Sequence, residues 1–266
     1  MEWGFLAAGL FVGIMVGMTG VGGGSLMTPI LIFGFGIQPV IAVGTDLLFA
    51  AITKAGGIWA YWRHSVVVWP VVVKLAAGSI PATLLTLWYL SQAGIEDGSH
   101  NELITNALGV ALILTSSALL LKNWLGGILQ ARAGHPIVNA LYKLREDEQH
   151  KTLATIITGA VIGVMVTLSS VGAGALGAVA LLFLYPRMKG VEIVATDIAH
   201  AVPLTAVAGL GHSAVGTVNW ELLGWLLMGS LPGIYIGSHL GVRIPDKLMR
   251  TVLAIILIAV GVKCLL

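Results

Sequence analysis

Eight apolar stretches dominate this chain, at about 3–34, 43–62, 69–90, 102–122, 153–185, 194–213, 219–240 and 248–265. Most are near 20 residues, the length at which an α-helix crosses about 30 Å of hydrocarbon. Composition closes off a soluble alternative. Hydrophobic residues make up 57% of the chain and charged residues 10%, where a soluble domain carries about 25% charge. With a mean hydropathy of +0.96, the apolar surface exceeds what one globular core can hide. An all-α polytopic membrane protein, partnered by the lipid bilayer, is the expectation. The 14 Lys and Arg against 12 Asp and Glu leave no bulk charge for binding nucleic acid. A single cysteine, Cys264, excludes an internal disulfide framework or a Cys-based metal site. Met1-Glu2-Trp3 carries no basic n-region, so the first stretch reads as part of the mature protein. Trp3, Trp59, Trp62, Trp69, Trp88, Tyr89, Trp124 and Trp220 fall near stretch ends, where an interfacial aromatic belt places them.

The chain repeats itself. The run Gly13-Ile14-Met15-Val16-Gly17-Met18-Thr19-Gly20-Val21-Gly22-Gly23-Gly24-Ser25-Leu26 aligns with Gly163 to Leu176 at an offset of 150. After one inserted residue the offset is 151: Thr45-Asp46 falls on Thr196-Asp197, Trp69 on Trp220, and Gly78-Ser79-Ile80-Pro81 on Gly229-Ser230-Leu231-Pro232. Between the copies lies a polar stretch with Lys122, Arg132, Lys143, Arg145, Lys151 and the run Glu146-Asp147-Glu148. The expected organisation is a first transmembrane repeat over 1–122, a cytoplasmic linker over 123–151 and a second repeat over 152–266.

Parity decides the orientation. The stretches 3–34 and 153–185 exceed one simple span, and each has a Gly-rich centre. Were each a single crossing, seven basic loop residues would lie on one side and five on the other. Were each a re-entrant hairpin returning to its own side, the repeats would have three full crossings apiece and opposite orientation. Arg63, the linker, Arg187, Lys189, Arg243, Lys247 and Arg250 then share one face, 11 basic residues in all, and Lys263 lies near the other. The positive-inside rule selects this second arrangement. It predicts two inverted repeats, each a Gly-rich re-entrant hairpin plus three transmembrane helices, in the cell inner (plasma) membrane with both termini extracytoplasmic.

Inverted repeats with broken helices place a substrate site near the bilayer midplane, where the breaks meet. Gly9, Gly13 and Gly17, four residues apart, fit close helix packing better. Gly20, Gly22, Gly23 and Gly24 are different, since four glycines in five residues break a helix and let backbone approach a ligand. Each hairpin's second half-helix would begin near Ser25 or Ala175, aiming free N–H groups and a positive dipole end at the centre. Such a site suits a small anion. Thr19 and Ser25 could add hydroxyl donors from one hairpin, and Ser169 and Ser170 from the other beside Gly172 and Gly174; helix back-bonding is the competing account for each hydroxyl. Lys54 lies about 16 Å along a helix starting at Val43, too deep to snorkel easily, and a midplane lysine faces a cavity or a carboxylate partner. Its repeat counterpart is Thr205. Asp46 and Asp197 either take a coupling proton, with His200 on the same face as Asp197, or cap their own helices behind Thr45 and Thr196. His212, His239, Lys74 and Glu221 sit near stretch ends and are expected to snorkel.

The motif Gly17-x-x-Gly20-Val21-Gly22-Gly23-Gly24-Ser25-x-x-x-Pro29, followed by Ala42-Val43-Gly44-Thr45 and Gly78-Ser79-x-Pro81, resembles the TauE/SafE sulfite-exporter family over nearly the whole chain. The resemblance implies a secondary transporter, in the exporting direction, of a small sulfur-containing anion such as sulfite, sulfoacetate or another organosulfonate. It also implies that the Gly-rich tips and the starts of helices 43–62 and 194–213 form the site. The second copy departs from the family pattern, with Gly172-Ala173-Gly174-Ala175 at the tip and Val179 where Pro29 stands in the first. The alternative is a cation or metal-ion permease using Asp46 and Asp197. No nucleotide-binding or other cofactor motif is readable, and no serine is paired with a general base, so an enzyme is not expected.

Overall fold

The computed structural model describes residues 2–19, 24–63, 66–92, 98–131, 148–186, 188–241 and 246–266. The described residues form helices joined by short connections. In the first half these are α1 (Glu2–Thr19), α2 (Gly24–Pro29) with a π-helical turn over Ile30–Gly34, α3 (Pro39–Arg63), α4 (Trp69–Gln92) and α5 (Gly98–Ala131). In the second they are α6 (Glu148–Ser169), α7 (Leu176–Leu184), α8 (Gly190–Ala214), α9 (Trp220–Gly241) and α10 (Asp246–Leu265). Trp69–Gln92, Glu102–Leu120, Glu148–Ser169 and Gly190–Ala214 are long and apolar enough to cross a membrane. Helix α5 runs nine residues past Lys122 and α6 opens at Glu148, so both ends of the stretch expected as linker are helical.

Helices pack across the halves more than within them. The most extensive contacts join α1 to α9, α4 to α6, α5 to α10 and α3 to α8. Glycines explain the first two. A Cβ at Gly9 or Gly13 would collide with the backbone of Leu226 or Ser230 on α9, and one at Gly229, Gly233 or Gly237 with the backbone of α1. The other half repeats this: Gly159 and Gly163 of α6 lie against Leu75 and Ser79 of α4, and Gly78 against Ile156. Close approach of backbones is how apolar helices gain packing energy where lipid removes the hydrophobic drive. The expectation for Gly9 and Gly13 therefore holds. The repeated Gly-Ser-x-Pro motif has a place here too, since Ser230 meets Gly13 and Ser79 meets Gly163. Paired positions rise together along α1 and α9 and along α4 and α6, so these helices run parallel. Along α3 and α8 they run oppositely, Leu48 lying at Gly209 and Gly44 at His212.

Both long stretches fold back. The ring of Phe35 lies 4.8 Å from that of Phe5, so the chain returns by residue 35 to the level where α1 began. In the second half the Tyr185 hydroxyl is 2.9 Å from that of Thr155, and Lys151 Nζ sits 4.4 Å from the Tyr185 ring centroid. Phe5 and Phe35 correspond to Thr155 and Tyr185 at the offset of 150. Unlike side chains thus close the same fold-back. Trp3, Trp69, Trp88, Tyr89 and Trp220 are exposed, as an aromatic belt requires. Trp59, Trp62 and Trp124 have side chains outside the described residues.

Two expectations about helix ends are corrected. Helices α3 and α8 start at Pro39 and Gly190, so Thr45-Asp46 and Thr196-Asp197 lie two turns inside and cannot cap their own helices. Each threonine instead caps a helix of the other half. Thr45 Oγ1 accepts the N–H of Asn219 at 3.1 Å, just before α9, and Thr196 Oγ1 accepts that of Val68 at 3.0 Å, just before α4. His212 does not snorkel. It is buried, with Nδ1 2.8 Å from Thr217 Oγ1 and Nε2 3.0 Å from the Thr167 carbonyl, and it ties the end of α8 to α6.

Candidate functional site

The break between α6 and α7 is built by backbone that a regular helix cannot adopt. Gly172 and Gly174 have φ of 118° and 128°, and Ser170 is left-handed at φ 57°. A non-glycine residue held there costs about 1–3 kcal/mol. Ser169 stabilises the turn locally: its hydroxyl donates to the Met165 carbonyl at 2.6 Å and accepts the Val171 N–H at 3.2 Å. That is the back-bonded arrangement, and it commits Ser169 to the backbone. Helix α7 then starts at Leu176 after Ala175, with no side-chain cap.

Lys54 reaches this break from α3. Its ammonium donates to the Ala173 carbonyl at 2.9 Å, and the side chain is buried at 8% exposure. Non-helical carbonyls at such depth need a donor, and Lys54 supplies a charged one. Asp197 and Asp46 both lie close enough to act on the charge of Lys54, which in turn acts on His200. One lysine thus faces two carboxylates. Thr205, its repeat counterpart, bonds back to the Ala201 carbonyl at 2.8 Å and brings no charge.

The two aspartates sit in matching places with different partners. Asp46 is fully buried, and its Oδ2 accepts the Thr28 hydroxyl of α2 at 2.5 Å. Asp197 Oδ1 lies against Gly177 in the first turn of α7, where any Cβ would overlap the carboxylate. A carboxylate there meets the positive end of the half-helix. Gly177 corresponds to Met27 in the first half and Thr28 to Ala178, so each half holds its aspartate in its own way. Beside them His200 Nε2 is 2.8 Å from Ser79 Oγ of α4. Its Nδ1 has no hydrogen-bond partner among the described residues.

The residues singled out in the sequence are therefore partly gathered. Lys54, Asp46, Asp197 and Ser170 converge on the second break, with Gly172 and Gly174 shaping it and His200 adjoining. Thr19 ends α1, and Gly24 and Ser25 open α2; Gly20, Gly22 and Gly23 lie outside the described residues. Sequence reasoning overlooked Thr28, Gly177 and the Ala173 carbonyl; the repeat positions of the first two hold Ala178 and Met27. It read Ser79 only as part of a repeated motif. Among the described residues no three His, Cys, Asp or Glu side chains are grouped as a metal site.

Comparison with known proteins points to one family. The family model described as "Sulfite exporter TauE/SafE" matches residues 5–264. The chain is 38% identical over 263 residues to the "Probable membrane transporter protein YjnA" of Bacillus subtilis (strain 168), covering 99% of each. It is 25% identical to the "Probable membrane transporter protein YunE" of the same organism, over 95% of this chain and 93% of that one. Against the "Probable membrane transporter protein MJ0441" of Methanocaldococcus jannaschii it is 25% identical, over 98% and 94%. No solved structure matches significantly.

Proposed function

This chain belongs to the TauE/SafE family of membrane transporters, and on that premise we propose that it is a secondary transporter of a small sulfur-containing anion. Sulfite, sulfoacetate and other organosulfonates are the class, exported by alternating access between two inverted repeats. The observation that carries this reading is Lys54 donating to the Ala173 carbonyl, which sets a buried cation at the unwound tip beside the start of α7. An oxyanion entering there meets an ammonium, the hydroxyl of Ser170 and the positive dipole end of α7, whose Leu176 and Gly177 N–H groups already bond the Gly172 carbonyl. Asp46, Asp197 and His200 surround the cation and serve ion coupling, with a proton as the coupling ion.

Support for the inverted, re-entrant arrangement comes from three matched features. Phe5–Phe35 and Thr155–Tyr185 return each hairpin to its start. Thr45 and Thr196 cap reciprocally, and α1 and α6 each run parallel to the fourth helix of the opposite half. In that arrangement the linker lies in the cytoplasm and both termini outside the inner membrane. Single cysteines placed at the termini and in the linker, labelled from outside intact cells, test it; labelling of the linker alone refutes it.

The substrate test is a thermal-shift screen of purified protein with sulfite, sulfate, sulfoacetate, taurine and isethionate, followed by flux in proteoliposomes. Stabilisation by one or more sulfonates or sulfite, lost in Lys54→Ala, is expected. The cation-permease reading draws on two carboxylates facing a single lysine. It predicts a response to cations that Asp46→Asn removes and Lys54→Ala leaves, and that result overturns the anion reading.

A further inference from the structure

Two buried polar side chains from opposite halves, Asp46 and Ser170, lie near each other. Asp46 is fully buried and Ser170 is 4% exposed. The Ser170 hydroxyl lies close enough to Asp46 to act on its carboxylate. Neither Asp46 Oδ1 nor Ser170 Oγ, however, reaches hydrogen-bond geometry with any partner among the described residues. The other carboxylate oxygen is taken by Thr28, so Asp46 is anchored at one oxygen and open at the other. Ser170 itself stands in the left-handed region, φ 57°. A buried ionised carboxylate with an open oxygen is costly, and a protonated one carries a donor in need of an acceptor.

We propose that Asp46 and Ser170 together form the proton site of this transporter. The proton binds Asp46 Oδ1, and the new O–H donates to Ser170 Oγ, tying α3 of the first half to the turn that opens α7 in the second. This rests on the transport reading above and assigns its coupling proton to one of two superficially equivalent aspartates. The groups around Asp46 form one charged cluster. On α3 itself Lys54 is the charge that acts on Asp46. From α8, Asp197 acts on Lys54, and Lys54 acts on His200. His212, near Gly44, has both ring nitrogens bonded; α2 presents Thr28. With both aspartates ionised against one lysine the cluster is one charge negative, which opposes an entering anion. A proton on Asp46 removes that excess and at the same time fixes the turn beside Lys54.

Hydrogen–deuterium exchange of the purified full chain in detergent, corrected for intrinsic rates and measured from acidic to mildly alkaline buffer, needs no substrate. Wild type is expected to exchange its 170–184 segment roughly three- to tenfold more slowly at the acidic end, the equilibrium factor of about one net hydrogen bond. Asp46→Asn, whose amide donates permanently, is protected at every pH. Ser170→Gly keeps the left-handed backbone without strain, lacks the acceptor, and exchanges fast at every pH. A flat wild-type profile overturns the proposal, as does a pH response surviving in Asp46→Asn or Ser170→Gly. Anion-induced thermal shifts alongside a flat profile refute the proton site and leave the transport reading standing. Loss of anion response with the profile intact does the reverse.

Discussion

Replacing Lys54 by methionine separates the two roles a buried lysine can have, because methionine keeps an unbranched side chain one atom shorter and removes the charge. In the wild type the ammonium donates to the Ala173 carbonyl and opposes Asp46 and Asp197. Losing a charge-assisted hydrogen bond costs about 1.5–3 kcal/mol. Leaving a buried partner charge unopposed costs about 3–5 kcal/mol. The two overlap, since an aspartate left unopposed can take up a proton, and the expected loss is about 3–5 kcal/mol in total. Tryptophan-fluorescence unfolding in detergent, with wild type, Lys54→Met, Asp46→Asn and the double variant, closes a thermodynamic cycle. The double variant is expected to recover about 1–3 kcal/mol relative to additivity, because removing one of the two carboxylates removes part of the reason the cation was needed. Anion-induced stabilisation does not return with it, since the site then lacks its cation. Two results refute this reasoning: a Lys54→Met protein within about 0.5 kcal/mol of wild type, or strictly additive single effects. Either would mean that the charges at Lys54, Asp46 and Asp197 do not share one electrostatic site.

Three further outcomes follow from the packing. Gly13→Leu drives a side chain into the backbone of Ser230 and is expected to cost at least about 1–3 kcal/mol, read as a lower unfolding midpoint; Gly163→Leu should match it at Ser79. Thr45→Val and Thr196→Val each remove a cap from a helix in the other half, so both should cost about 1 kcal/mol by the same assay. A large difference between them would argue against matched roles. His212→Ala strips the partners of Thr217 and the Thr167 carbonyl and should destabilise by about 1–3 kcal/mol while leaving the anion response of the folded fraction unaltered.

Much of the architecture was legible in the chain because it is written in one dimension. Segment length against bilayer thickness and a fixed repeat offset are readable without knowing which helix touches which. Glycine at four-residue spacing announced close packing, and the breaks announced non-helical backbone. The deep lysine stood out because charge is scarce. The chain could not announce neighbours. Helices apolar on nearly every face have no polar side to orient them, so nothing in α1 says that α9, more than 200 residues later, is its partner.

Tertiary structure alone decided the chemistry. Thr45 and Thr196 look like caps of the helices they lie on, yet each bonds an N–H in the opposite half. His212 looks terminal, yet the turn after α8 folds it inward to Thr167. Asp46 and Asp197 are equivalent in sequence but not in space, because Thr28 holds one and Gly177 makes room for the other. Lys54 and Ala173 lie 119 residues apart. A hydrogen bond acts over about 3 Å, and its partners become neighbours only once the two halves interlock. Sequence therefore set the membrane, the repeat and the inventory of charges, while packing chose which charge meets which carbonyl.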